Sequence, residues 1–386
     1  MLTAAAKTLN IADTMIAGII GATGYAGAEL VRLLAGHPEI TKIVPASVSF
    51  QGERIEAVYP NFQGVVSAEL LKPEEAVSQA DVVFAALPTG VGEAYAKTCM
   101  EQGKNFIDLS ADFRFDDDEA TFTAWYGKPY LYPELRLRSV YGLPELKRAQ
   151  IRELANNGTL IIGNPGCYPT GASLGIYPAI SLGIAARGAP IIVDAASGVT
   201  GGGREPSRAF HYPECADSFA PYKVGVHRHT PEICRNLAFM TRLASGVSAS
   251  SVIFTPHLAP MNRGILSTIY IPLAEACRLE QSAPPRPPAR AVTERAEEIR
   301  EHYAAFYERE PFVRVLPQGD IASTSRVRQS NFCDISVHLD QAGTTLIIAT
   351  AIDNMVKGAA GQAIQNMNIV YGFDERAGLT AIPASF

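Results

Sequence analysis

The sequence predicts an α/β protein in two parts: a doubly wound parallel sheet first, then an α+β unit built on a mixed sheet. Three observations carry this. Over residues 1–160 short apolar runs alternate with helical patterns, the rhythm of consecutive βαβ units. From Ile191 onward the apolar runs lengthen and become richer in β-branched residues, with fewer helical stretches between them. A chain of 386 residues, 47% apolar and 19% charged, has material for two cores.

Residues 1–14 carry one Lys, no Arg and no apolar core. They read as a disordered extension rather than a signal or transit peptide. Met15–Ile20 is the first strand. It runs into Gly21-Ala22-Thr23-Gly24-Tyr25-Ala26-Gly27, and Ala28–Ala35 follows at helical spacing. Strand, glycine turn and helix in this order let the backbone approach a pyrophosphate at a helix N-terminus. This makes residues 15–165 a Rossmann-type dinucleotide-binding domain, although the spacing is G-x-x-G-x-x-G. Gly21, Thr23, Gly24, Tyr25, Ala26 and Gly27 are the expected cofactor contacts. The second strand, Ile43–Ser49, ends where an enzyme using NAD carries an acid for the ribose 2′-hydroxyl. Here stand Ser47 and Ser49, with no acid before Glu53 and with Arg54 beyond it. Hydroxyls accommodate a 2′-phosphate, so the expected cofactor is NADP. Asp81–Ala86 is the next strand. Pro88 follows it, at the carboxyl edge where such sheets bind ligands. Gly92–Gln102 reads as a helix, and Phe106–Leu109 and Leu160–Ile162 as strands.

Gly163-Asn164-Pro165-Gly166-Cys167-Tyr168-Pro169-Thr170 is the most informative stretch. It sets a cysteine in a tight turn between a strand and a helix over Thr170–Leu182. Unpaired N–H groups and the helix dipole there favour a thiolate and an adjacent oxyanion. The alternative, a buried structural thiol, does not explain the turn. His227-Arg228-His229-Thr230-Pro231-Glu232 offers a base, and its chemistry alone leaves the choice between His227 and His229 open. Strands are expected at Ile191–Ala195, Ser251–Thr255, Gly264–Pro272, Asn331–Leu339 and Leu346–Ile352. Ser282–Pro288, with four prolines, reads as an exposed loop. Thr293–Arg309 reads as a charged helix and Val356–Tyr371 as the last one.

Taken with Ser110-Ala111-Asp112-Phe113-Arg114, Tyr141-Gly142-Leu143-Pro144-Glu145, Ser197–Arg204, Phe254–Leu258 and Asp353–Ala363, these segments resemble the N-acetyl-gamma-glutamyl-phosphate reductase family. That is the arginine-pathway branch of the aspartate-semialdehyde dehydrogenase superfamily. The resemblance runs from about Met15 to Gly372. It implies reductive dephosphorylation of an acyl phosphate (EC 1.2.1.38), with Cys167 as nucleophile and His227 as the acid–base residue. It implies a catalytic and oligomerisation domain over 166–354, with a C-terminal helical segment, 355–386, returning to the cofactor domain. It makes Arg114, Asn164, Ser197, Arg204, His229 and Glu232 substrate-binding or orienting residues. It brings Gly201 and Asn354 near the nicotinamide, whereas Lys357 reads as a surface charge. The tail beyond Gly372 and the lead before Met15 exceed the family pattern.

A net charge of −6 provides no electrostatic footprint for nucleic acid or an anionic membrane. Six scattered cysteines show neither metal spacing nor a disulfide framework. No metal is expected, and a reducing cytoplasm suits a catalytic thiol. The expected partners are a small acyl phosphate and a second copy of the chain, as homodimer or homotetramer. Three other readings share the fold: a reductase of carrier-bound aminoadipyl phosphate in lysine biosynthesis, aspartate-semialdehyde dehydrogenase, and a non-catalytic NADP-binding sensor. An acidic chain without an obvious basic mouth disfavours the first. The histidine motif fits the second poorly, and retention of Cys167 and His227 disfavours the third.

Overall fold

A computed structural model describes residues 15–243, 251–279 and 289–384. The extension at 1–14, the proline-rich loop at 282–288 and the end of the tail lie outside the described residues.

The first sheet holds β1 (Met15–Ile20), β2 (Ile40–Ala46), β3 (Val82–Ala85), β4 (Asn105–Asp108), β5 (Ser139–Tyr141) and β6 (Ile161–Gly163). Its order is β2-β1-β3-β4-β6-β5, and every pair is parallel. Helices cover both faces of such a sheet, so its central strands read as unbroken apolar runs; β3 is buried at all four positions. Gly21 ends β1 with φ +81°, and a Cβ there would lie 2.4 Å from the Ala86 carbonyl oxygen. Only glycine fits. β5 escaped the sequence reading because three residues show no periodicity. β2 starts earlier than expected and stops before Ser47, which frees the Ser47–Phe50 segment to line a cleft.

The second sheet holds β7 (Ile191–Ser197), β8 (Ala220–Pro221), β9 (Val252–Leu258), β10 (Ile265–Pro272), β11 (Val313–Val315), β12 (Cys333–Leu339) and β13 (Thr345–Ile352). Its order is β11-β12-β13-β10-β7-β9-β8. The β7/β9 and β11/β12 pairs are parallel and the rest antiparallel, so the mixed sheet is present. β7 and β10 alternate buried and half-exposed positions, as expected of strands covered on one face. The covered face packs on the Cys167–Ser181 helix, in a core with Ile176, Ile180, Ile269 and Ile348. On the other face Ile253, Ile192, Tyr270, Ile347 and His338 stand in register across five strands, each at least partly exposed.

The Cys167–Ser181 helix begins three residues before the expected Thr170. Pro169 is its third residue, where a missing N–H costs nothing because the first-turn donors have no intrahelical partner. The charged helix spans Ala289–Phe306. The final helix, Gly361–Tyr371, is preceded by a π-helical turn, Val356–Ala360. Its Ile364 and Met367 join the core of the first sheet with Ile19 and Leu30. Lys357 is not a surface charge. It is fully buried and donates to Glu145 Oε1 at 2.6 Å and Gln365 Oε1 at 2.9 Å. A lysine tolerates that position because a buried carboxylate faces it.

Candidate active site

A cleft of about 1440 Å³ is lined by residues of both sheets and their loops. Gly21, Thr23, Gly24, Tyr25, Ala26, Ser47, Ser49 and Pro88 line it, as do Arg114, Cys167, Ser197, Gly201, Arg204, His227 and His229. Four expected site residues do not. Gly27 faces the turn instead, and a Cβ there would lie 2.1 Å from the Gly21 oxygen, so it sets how closely helix and strand pack. Asn164 is buried, donates to the Ala359 carbonyl and accepts from Asn366. Asn354 is buried, accepts from the Gly264 N–H and donates to Thr200. Glu232 is fully buried and serves the residues around Cys167.

The cofactor end fits a dinucleotide. Gly24 is the N-cap of the Tyr25–Leu34 helix and no side chain caps it, so the first-turn N–H groups remain free for an anion. Thr23 Oγ1 and Ser47 Oγ lie 2.9 Å apart, and Tyr59 donates to the Thr23 carbonyl at 2.9 Å. Arg204 comes from the loop after β7. It is not beside Cys167 but at this end, donating to the Thr23 carbonyl at 2.9 Å. Arg54 is turned away and bonded to Glu56 and Ser67. Phe50, Tyr59 and Ser110 were missed by sequence reasoning. Ser110 sits in a quoted motif, whereas Phe50 and Tyr59 carry no local signal.

At the other end, Gly166 caps the helix that Cys167 begins. The Gly166 N–H donates to Glu232 Oε1 at 2.8 Å, and Tyr141 donates to the same oxygen at 2.8 Å. Glu232 Oε2 pairs with Arg114 Nη1 at 3.3 Å. Arg114 also donates to the carbonyls of Asn164 and Leu109 at 2.9 Å each, so its planar fork is held from three sides. A Cβ on Gly166 would lie 2.5 Å from His229 Nε2 and 2.9 Å from Arg114 Nη1. Glycine therefore lets both groups close on the turn that carries Cys167.

The electrostatics differ from the thiolate expectation. Burial pushes the Cys167 thiol up to about 11, with Arg114 and the Tyr168 N–H opposing. Desolvation outweighs the helix N-terminus, so the resting group is a thiol. His227 packs edge-on against Tyr168, Tyr222 and Phe254. Burial, then Lys223 and Arg228, push it down to about 4. Its Nδ1 accepts the His229 N–H at 3.1 Å, which puts the proton of the neutral ring on Nε2. His229 is also held neutral, by burial and then Arg114. Among the described residues Cys167 Sγ bonds neither histidine. Tyr168 accepts from the Tyr222 hydroxyl at 3.1 Å and lines the same wall. Tyr168 lay in the quoted turn; Tyr222 and Lys223, in an irregular loop, had no signal. Among the described residues no group of three His, Cys, Asp or Glu side chains is placed to hold a metal. No helix among them is long and apolar enough to cross a membrane.

Residues 16–154 match the family model described as semialdehyde dehydrogenase, NAD binding domain. Residues 167–354 match semialdehyde dehydrogenase, dimerisation domain. The N-acetyl-gamma-glutamyl-phosphate reductase of Clostridium kluyveri is 45% identical over 369 residues, 96% of this chain and 99% of that protein. That of Pelobacter propionicus is 45% identical over 367 residues, 94% and 97%. Among solved structures, aspartate semialdehyde dehydrogenase II of Vibrio cholerae superposes with a TM-score of 0.68 at 15% identity, covering 93% of this chain and 99% of that one. The Candida albicans enzyme with NADP reaches 0.62 at 17%, with the same coverage. At such identities these two establish the fold alone.

Proposed function

The chain belongs to the N-acetyl-gamma-glutamyl-phosphate reductase family of the semialdehyde dehydrogenases, and from that premise we propose that it reduces N-acetyl-L-glutamyl 5-phosphate to N-acetyl-L-glutamate 5-semialdehyde with NADPH, a step of arginine biosynthesis. The observation that carries the reading is one cleft that joins an uncapped glycine turn to a cysteine flanked by Arg114, His227 and His229. Residues 15–165 with the returning segment 355–386 hold the cofactor. Residues 166–354 carry the chemistry and the contact between copies. The reaction belongs in the cytoplasm.

Cys167 Sγ attacks the acyl carbon, the carbon–oxygen bond to phosphate breaks, and a thioester and inorganic phosphate remain. Arg114, already oriented by Glu232, holds the anionic substrate beside the sulfur. The N–H groups at the start of the Cys167–Ser181 helix stabilise the tetrahedral oxyanion. When bound, NADPH supplies the hydride that takes the thioester to the aldehyde level. The carbon–sulfur bond then breaks, and the His227 imidazolium, formed when the ring took the thiol proton, returns that proton to the leaving sulfur. To take the thiol proton on Nε2 at the outset, the neutral ring must first carry its own proton on Nδ1, and so give up the bond that Nδ1 accepts from the His229 N–H. His229 thus sets the tautomer of His227.

The direct test is reduction of NADP in the reverse direction, with N-acetylglutamate semialdehyde and phosphate as substrates. Cys167→Ser should lower kcat by at least about a thousandfold, because a hydroxyl lacks the thiol's accessible anion, while NADPH binding stays intact. Retention of more than about a hundredth of the parent rate is incompatible with a covalent mechanism.

A further inference from the structure

We propose that Arg204, in the loop that follows β7, reads the 2′-phosphate of NADP and so sets the preference for NADP over NAD. The inference rests on the NADP reading above and adds the cation that reading lacks. Serine hydroxyls at the end of the second strand tolerate a phosphate, but neutral hydroxyls alone hold a dianion weakly. The sequence offers Arg54 as the charge partner, and the structure commits Arg54 to Glu56 and Ser67, outside the cleft.

Four basic side chains line the described cleft: Arg114, Arg204, Lys223 and Arg228. Arg114 is tied to Glu232. Lys223 and Arg228 bear on His227, and Arg228 lies over the Tyr126 ring. Arg204 alone among them reaches the glycine turn. Its guanidinium carbon lies 4.9 Å from the centre of the Tyr59 ring and 5.5 Å from that of Phe50. One of its nitrogens donates to the Thr23 carbonyl, and Thr23 Oγ1 is 2.9 Å from Ser47 Oγ. Two aromatic faces and one carbonyl thus hold the fork beside the serines, with further N–H groups left for a phosphate. The side chain is exposed, so a dianion gains a charge-assisted pair without breaking a buried one. Glu205, the next residue, also lines the cleft, and Arg204 turns to Thr23 and Tyr59 rather than to it.

The placement has a second consequence. Arg204 follows β7 of the second sheet, whereas Thr23, Ser47 and Phe50 belong to the first. A 2′-phosphate held by both would tie the two halves together across the cofactor, which NAD does not do.

Calorimetry on the full-length protein with adenosine 2′,5′-bisphosphate and 5′-AMP tests this without turnover. The parent should bind the bisphosphate at least about tenfold more tightly. Arg204→Met keeps the length and the apolar stem. It should weaken the bisphosphate by about tenfold or more and leave 5′-AMP within about twofold. Arg204→Lys should recover part of the loss, and NADPH and NADH should follow the same split. Equal weakening of both nucleotides by Arg204→Met would show a merely structural clamp and overturn the proposal. So would a selective loss in Arg54→Met with none in Arg204→Met. A parent that binds both nucleotides equally would remove the NADP reading itself, a failure distinct from either variant result. Thermal melts of each variant separate lost binding from lost folding.

Discussion

Cys167 rests as a thiol because burial outweighs the helix N-terminus and Arg114, and His227 rests as a neutral imidazole because burial, Lys223 and Arg228 all oppose its charge. This determines how activity responds to pH. His227 titrates near 4, so it stays neutral from pH 5 upward and becomes unable to accept a proton only as pH falls through that value. The kcat/KM profile should therefore show no His227 inflection between pH 6 and 8. His227→Asn should lower kcat/KM by about a hundredfold and by the same factor across that range. An inflection near pH 6.5 in the parent that disappears in the variant would contradict the buried, neutral ring. With its thiol near 11, Cys167 should react with iodoacetamide about tenfold faster for each unit of pH between 7 and 9, without a plateau.

At the scale of elements, the π-helical turn Val356–Ala360 packs against Cys167, the proposed nucleophile. A π turn widens the helix by one residue, a device frequent at functional sites. Here it brings Gly358 against the cysteine: a Cβ on Gly358 would lie 2.8 Å from Cys167 Cβ and 3.2 Å from its Cα. Asn164 ties the two turns together by donating to the Ala359 carbonyl. The backbone of Gly358 is not left-handed, so alanine there adds a methyl group and no backbone strain. Gly358→Ala should displace Cys167 by a few tenths of an ångström and lower kcat by about tenfold to a hundredfold. NADPH affinity, measured by fluorescence titration, should not change. A parallel loss of NADPH binding would mean that the turn supports the fold generally rather than the cysteine.

At the scale of the molecule, the two sheets are joined by charge as well as by apolar packing. Arg263, between β9 and β10, donates twice to the buried Glu29 of the first helix, at 3.0 and 2.7 Å, and lies 3.6 Å from Asp353. This bridge and the Arg204–Thr23 contact span the halves that form the cleft. The partly exposed row Ile253–Ile192–Tyr270–Ile347–His338 lies in the part matched by the dimerisation model. An apolar stripe across a sheet face suits a symmetric contact between copies. Tyr270→Asp with Ile347→Asp should convert the oligomer to monomer in size-exclusion chromatography with light scattering, leaving the far-ultraviolet circular dichroism intact. An unchanged mass would move the contact elsewhere.

Sequence alone determined the class of fold, the glycine turn, the cysteine turn and the positions of most strands along the chain. Each of these rests on local backbone chemistry: apolar periodicity, glycines where the chain turns sharply, and a thiol before a helix. The edges of β2 and the short β5 were not legible, because strand ends depend on neighbours rather than on composition. Three features required the tertiary structure. Lys357 is buried because Glu145, from a distant helix, faces it. Arg204 lies at the glycine turn, while Arg54 pairs with Glu56 and Ser67 outside the cleft, because chain separation says nothing about which loop folds over that turn. Cys167 and His227 are held in their uncharged forms because protonation depends on desolvation, and desolvation is set by Tyr168, Tyr222 and Phe254 meeting from three separate segments.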